Sequence, residues 1–140
     1  YLCGDAATVT ATLSEGIVAG KTGDADIEDA LSAVLRFRSG AVGEMTAAAV
    51  ASRHDRGLAV VADGVEVRVD GEGVEIIEPG AATRLDHAGS ALAAAQEAFI
   101  RAVQTGKRDA VRCDYASATR TLEVALAAVE AARTGKVVPI

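Results

Sequence analysis

The chain has 140 residues, half of them hydrophobic, with 24% charged residues and a net charge of −6. Those values fit one folded domain with a core and exclude a disordered chain. Acidic and basic residues are interspersed and no basic run occurs, which argues against an electrostatic footprint for nucleic acid.

The apolar residues are mostly Ala and Val, with no Trp, two Phe and two Tyr. Small side chains pack closely but bury little area each, so a thin core is expected. No apolar stretch approaches the roughly 20 residues a membrane span needs. Residues 1–5 lack the basic n-region and long apolar core of a signal peptide. A cytoplasmic protein with no membrane contact is therefore expected. Cys3 and Cys113 are far apart in sequence and read as reduced thiols, although a disulfide between them stays open. With two His in the chain, a zinc site lacks ligands. The first residue is Tyr1, not Met, so a piece of a longer protein is expected.

In chain order, Ala7 to Val18 alternates Thr8, Thr10 and Thr12 with Val9, Ala11 and Leu13, which predicts a strand with one polar face. Gly20 to Asp26 reads as a polar loop. Asp29 to Arg38 predicts a second strand, with Leu31, Ala33, Leu35 and Phe37 on one face. Ser39-Gly40 is a hairpin turn, and Gly43 to Ala51 is the returning strand. Ser52 to Gly57 is a polar loop. Leu58 to Ala62, Val65 to Asp70 and Val74 to Glu78 read as short strands separated by Asp63-Gly64 and by Gly71 to Gly73, and Pro79-Gly80 ends the run. Ser90 is a candidate N-cap for a helix with Leu92, Ala95, Phe99, Ala102 and Val103 on one face and Gly106 as its stop. Asp114 is a candidate N-cap for a second helix, with Ala118, Leu122, Ala125, Val129 and Ala132 inward and Gly135 as its stop.

These elements predict an α+β fold: a mostly antiparallel sheet of about six strands, two helices packed on one face, and the other face open. That open face carries Ser32, Val34, Thr46, Ala48 and Val50, neither strongly charged nor strongly apolar. Such faces tend to be covered, and an isologous contact with a second copy is the expected cover.

Chemical motifs are scarce. Gly71-Glu72-Gly73 has the start of a dinucleotide fingerprint but lies in a hairpin with no helix behind it. There is no P-loop, no H-E-x-x-H and no G-x-S-x-G.

The strings Tyr1-Leu2-Cys3-Gly4-Asp5, Leu35-Arg36-Phe37-Arg38-Ser39-Gly40-Ala41, Phe99-Ile100-Arg101-Ala102-Val103-Gln104-Thr105-Gly106 and Arg133-Thr134-Gly135-Lys136-Val137-Val138 carry, in that order, a further signal. Together they resemble the C-terminal domain of the Gfo/Idh/MocA oxidoreductases, the family of glucose–fructose oxidoreductase and inositol dehydrogenase. The resemblance spans essentially the whole chain. It implies that residues 1–140 are a single substrate-binding and oligomerisation domain of a two-domain enzyme whose N-terminal Rossmann domain is absent here. That missing domain would hold NAD or NADP and the catalytic Lys, and the catalytic Asp and His would also precede residue 1. No catalytic, cofactor-binding or metal-binding residue is therefore carried over. The full-length protein would be an NAD(P)-dependent dehydrogenase of a sugar, polyol or related hydroxy or carbonyl compound, acting as a homo-oligomer. This chain alone would be inactive.

The resemblance also points to a substrate loop, here Arg53-His54-Asp55-Arg56. The Arg matches the pattern of inositol-dehydrogenase-like members, but their aromatic residues are missing, which speaks against an inositol-like substrate. The loop is either a solvated hairpin with internal ion pairs or a clamp for substrate hydroxyls or a carboxylate. Arg112 and Tyr115 flank the second helix start and are further candidates for ligand contact; the plainer alternative is an N-cap, its counter-charge and a packing aromatic. The competing reading of the chain is a stand-alone, non-catalytic ligand-binding or dimerisation module.

Overall fold

A computed structural model describes residues 2–23, 27–52, 56–87 and 89–140. The elements are β1 (Ala6–Ser14), α1 (Ile17–Thr22), β2 (Ala30–Phe37), β3 (Val42–Ala48), β4 (Leu58–Ala62), β5 (Val65–Val69), β6 (Gly73–Glu78), β7 (Ala81–Asp86), α2 (Ala91–Thr105), α3 (Tyr115–Thr134) and β8 (Val138–Pro139). The class is α+β, with two long helices and eight strands among the described residues, the strands in two antiparallel four-stranded sheets ordered β3-β2-β1-β8 and β4-β5-β6-β7. Two strands escaped the sequence reading. Pro79-Gly80 does not end the sheet but turns it: Gly80 has φ 82°, the Pro-then-Gly pattern of a type II turn, and β7 pairs back on β6 from Ala81↔Glu78 to Asp86↔Gly73. β8 is two residues long and too short to show a period.

The chain divides into two compact units. One comprises Tyr1–Ser52 and Cys113–Ile140, the other Arg53–Arg112.

In the first unit, period-2 alternation sorts each strand into an inner and an outer set. Val9 and Ala33 are buried with Ala128 and Ala131 of α3, and Ala11, Leu31, Leu35, Ala127, Val138 and Ile140 pack around them. The core is thin, as the Ala-rich composition implies, and its small residues let the α3 backbone approach the sheet closely. The inner face of α3 is rotated from the one the sequence suggested. Ala128 and Ala131 are inward, while Ala118, Leu122 and Ala125 are exposed.

β1 stops at Ser14, and a short helix replaces the expected strand end and part of the expected loop. The cause is Asp29, 1% exposed. Its carboxylate accepts the Ile17 N–H at 2.8 Å and the Val18 N–H at 2.7 Å, capping α1 from outside it. The Asp29 N–H donates to the Ser14 carbonyl and its carbonyl accepts from Ala49 N–H, both at 2.8 Å, so this residue ties α1 to β1 and to the end of β3.

In the second unit, the register sorts the sheet into two unlike faces. Val60, Val67, Ile76 and Thr83 form one row and Leu58, Val69, Val74 and Leu85 the next, all on one side. The other side is mixed, with Glu66, Arg68, Glu75, Arg84 and Asp86 beside Ala59, Val61, Ile77 and Ala82. The apolar side has no fully buried side chain, and α2 lies against none of the strands of this unit.

Candidate functional site

The outer face of β1, β2 and β3 is a largely polar surface. Thr10 is opposite Val34 and Thr12 opposite Ser32; across the next rung Ser32 is opposite Thr46, Val34 opposite Glu44 and Arg36 opposite Val42. All of these side chains are exposed. Ser32 Oγ and Thr46 Oγ1 share a hydrogen bond at 3.1 Å. This face presents hydroxyl groups in donor and acceptor roles, one guanidinium and one carboxylate, between two valines. It can hydrogen-bond a polyhydroxylated molecule or pack against a second surface. Thr10 and Thr12 belong to the polar set legible in the alternation of β1, and Ser32, Val34 and Thr46 to the open face expected from sequence.

Three of the sequence candidates, Arg53, His54 and Asp55, lie outside the described residues. Arg56 is exposed just before β4, and Arg112 is exposed at the end of the same unit, where it interacts within the chain. Tyr115 is the first residue of α3, in the other unit, and is 90% exposed. It is therefore not the packing aromatic of the plainer reading. Asp114 does cap α3: its carboxylate accepts the Ser117 N–H at 2.8 Å, and that bond holds the carboxyl below the usual range.

A second electrostatic cluster lies on the mixed side of the β4–β7 sheet. Arg84 donates two hydrogen bonds of 3.1 Å to the two oxygens of Asp70. Asp70 Oδ1 also accepts the N–H groups of Glu72 and Gly73 at 2.8 Å each. The Arg84 bonds, then these backbone bonds, lower the Asp70 pKa to about 2. The cluster builds the β5–β6 turn. It also decides the Gly71-Glu72-Gly73 string: the N–H groups that a pyrophosphate would require are already given to Asp70, and a strand follows rather than a helix. This hairpin does not fit a dinucleotide.

Two shallow depressions occur on α2. One, of about 430 Å³, is lined by Ala95, Gln96, Phe99 and Ile100; the other, of about 190 Å³, includes Arg101, Lys107 and Asp109. Among the described residues no three His, Cys, Asp or Glu side chains cluster to hold a metal ion, and no helix is long and apolar enough to cross a membrane.

No protein-family model matches the sequence, and no curated protein matches it. Solved structures match by fold. Levoglucosan dehydrogenase, in complex with NADH and L-sorbose, aligns with 100% of this chain and 46% of its own, at a TM-score of 0.83 and 19% identity. An aldose–aldose oxidoreductase from Caulobacter crescentus, complexed with glycerol, aligns with 98% of this chain and 42% of its own, at 0.78 and 20%. UDP-N-acetylglucosamine 3-dehydrogenase from Acidithiobacillus ferrooxidans aligns with 91% of this chain and 40% of its own, at 0.76 and 21%. The chain spans less than half the length of each of these proteins. Its fold is therefore that of one part of the Gfo/Idh/MocA-type sugar oxidoreductases.

Proposed function

We propose that this chain is the substrate-binding and oligomerisation domain of a longer NAD(P)-dependent oxidoreductase that acts on a sugar, a polyol or a related hydroxy or carbonyl compound. The observation that carries the reading is the near-complete match of the chain to less than half of several sugar oxidoreductases. NAD or NADP is then held by a domain that precedes residue 1, which agrees with a glycine hairpin whose amides are occupied by Asp70. In this reading the chain's own residues bind and orient. The loop Arg53–Arg56 and Arg112 of one unit, and separately Tyr115 of the other, contact substrate oxygens. The open face of β1, β2 and β3 packs against a second copy, with the Ser32–Thr46 hydroxyl pair near its centre. The chain alone transfers no hydride.

The test is the intact mass of the protein as its own cells make it, followed by NADH binding and turnover of an aldose and polyol panel. A protein much longer than 140 residues that reduces NAD or NADP with such a substrate is the expected result. The isolated chain should show neither NADH fluorescence enhancement nor turnover. A native mass equal to this chain plus a short leader would replace the proposal with a stand-alone ligand-binding or dimerisation module.

A further inference from the structure

α1 has little of its own to hold it in place. It spans Ile17–Thr22, six residues, where an isolated helix shorter than roughly 12 residues is marginal in water. Its sequence does not favour the helix either, since Ile17 and Val18 are β-branched and Gly20 lies in its interior. Among the described residues no other helix or strand packs against α1, and Ile17 is 54% exposed. Gly16, at φ 111°, precedes it and Gly23, at φ 83°, follows it, so both ends meet a residue that turns without steric cost. The Asp29 carboxylate compensates, bonded to the Ile17 and Val18 amides at 2.8 and 2.7 Å.

The chain beneath α1 is tied down separately. The Asp29 N–H and carbonyl bond the Ser14 carbonyl and the Ala49 N–H. Arg133 of α3 reaches Glu15 at 3.7 Å and Glu28 at 3.5 Å, on the segments that lead into α1 and back from it. None of these bonds involves a residue of α1, so the helix can let go of the carboxylate without breaking them.

We propose that α1 is a latched flap: it leaves Asp29 as one piece, turning at Gly16, while β1, β2 and β3 stay paired. The closed state is held by charge-assisted hydrogen bonds from two N–H groups that have no acceptor within the helix. In the open state water takes up both amides and the Asp29 carboxylate, which closure buries to 1% exposure. Opening costs less than unfolding the unit, which puts α1 at the low-stability end from which lids and binding loops are drawn. The inference does not rest on the proposed enzymatic role.

The test is hydrogen exchange of the full chain, followed by NMR amide by amide across urea concentrations below the unfolding transition. The Ile17 and Val18 amides should exchange roughly tenfold or more faster than the most protected amides of β1, at a rate that urea leaves unchanged, because a local opening exposes little surface. Asp29→Asn keeps the shape and removes the charge. It should speed both amides by a further factor of about ten and leave β1 as it was. Ile17 and Val18 amides that follow β1 in rate and in urea dependence would overturn the proposal, because α1 would then open only with the whole unit. An Asp29→Asn variant that speeds β1 as much as α1, or speeds neither, would overturn it too. Should that variant fail to fold, the urea series on the unmodified chain decides.

Discussion

Asp70 and Asp29 show how differently two carboxylates can serve one chain. Asp70 is solvent-facing and ion-paired. Arg84 and two backbone amides lower its pKa to about 2. Because folding lowers this pKa, the stabilisation is full above the ordinary carboxylate range and is lost as the pH falls toward about 2. Carbon-detected NMR titration should place the Asp70 midpoint near 2, and Arg84→Met should move it up toward the ordinary 3.8; an unmoved midpoint would show that the backbone bonds suffice. Asp29 is buried and holds two helix amides. Asp29→Ala should cost about 2 kcal/mol, the sum of a lost cap and buried donors left unpaired. Urea unfolding measures that cost, and hydrogen exchange should speed at the Ile17 and Val18 amides in particular.

At the scale of elements, the packing of α3 is set by methyl groups. Ala128 and Ala131 are fully buried against Val9 and Ala33. Ala128→Leu should therefore destabilise the first unit by about 1–3 kcal/mol through overpacking, read as a lower urea midpoint, where the same change at exposed Ala118 should be near neutral. Much of this level was legible in the sequence. Strict alternation located β1, β2 and β5, and Ser90, Gly106, Asp114 and Gly135 marked both long helices because caps are local chemistry. What was illegible depends on distant partners. α1 has a weak sequence of its own and is held by a carboxylate twelve positions from its first amide. β7 has little alternation and is fixed by its pairing with β6 and by the Arg84–Asp70 bonds. The inner face of α3 was misread because hydrophobicity alone favours Leu122 over Ala128, whereas the residues buried against Val9 and Ala33 are Ala128 and Ala131.

At the scale of the whole molecule, the fold matches part of several sugar oxidoreductases, and of the residues proposed to contact substrate Arg56, Arg112 and Tyr115 are exposed. Charged loop residues have no periodicity, so sequence could nominate Arg56, Arg112 and Tyr115 but not arrange them. If Arg56 contacts substrate, Arg56→Ala in the longer parent protein should raise KM for the sugar about tenfold, as expected for loss of a charge-assisted hydrogen bond, and leave the Kd for NADH unchanged. Equal values in variant and wild type would return that arginine to the solvated surface.

The pairing of β1 with β8 bears on the order in which the molecule can form. Thr8 pairs with Pro139, the Ile140 N–H donates to the Ala7 carbonyl at 3.0 Å, and Arg38 donates to the Ile140 carbonyl at 3.0 Å. The unit that contains β1 is thus completed only by residues synthesised after the whole of Arg53–Arg112. The β4–β7 meander is built from neighbouring hairpins and can form while translation continues. Until α3 has been synthesised, the inner side of β1, β2 and β3 around Val9 and Ala33 has no cover. That nascent interval is the stage at which this protein would most need a chaperone.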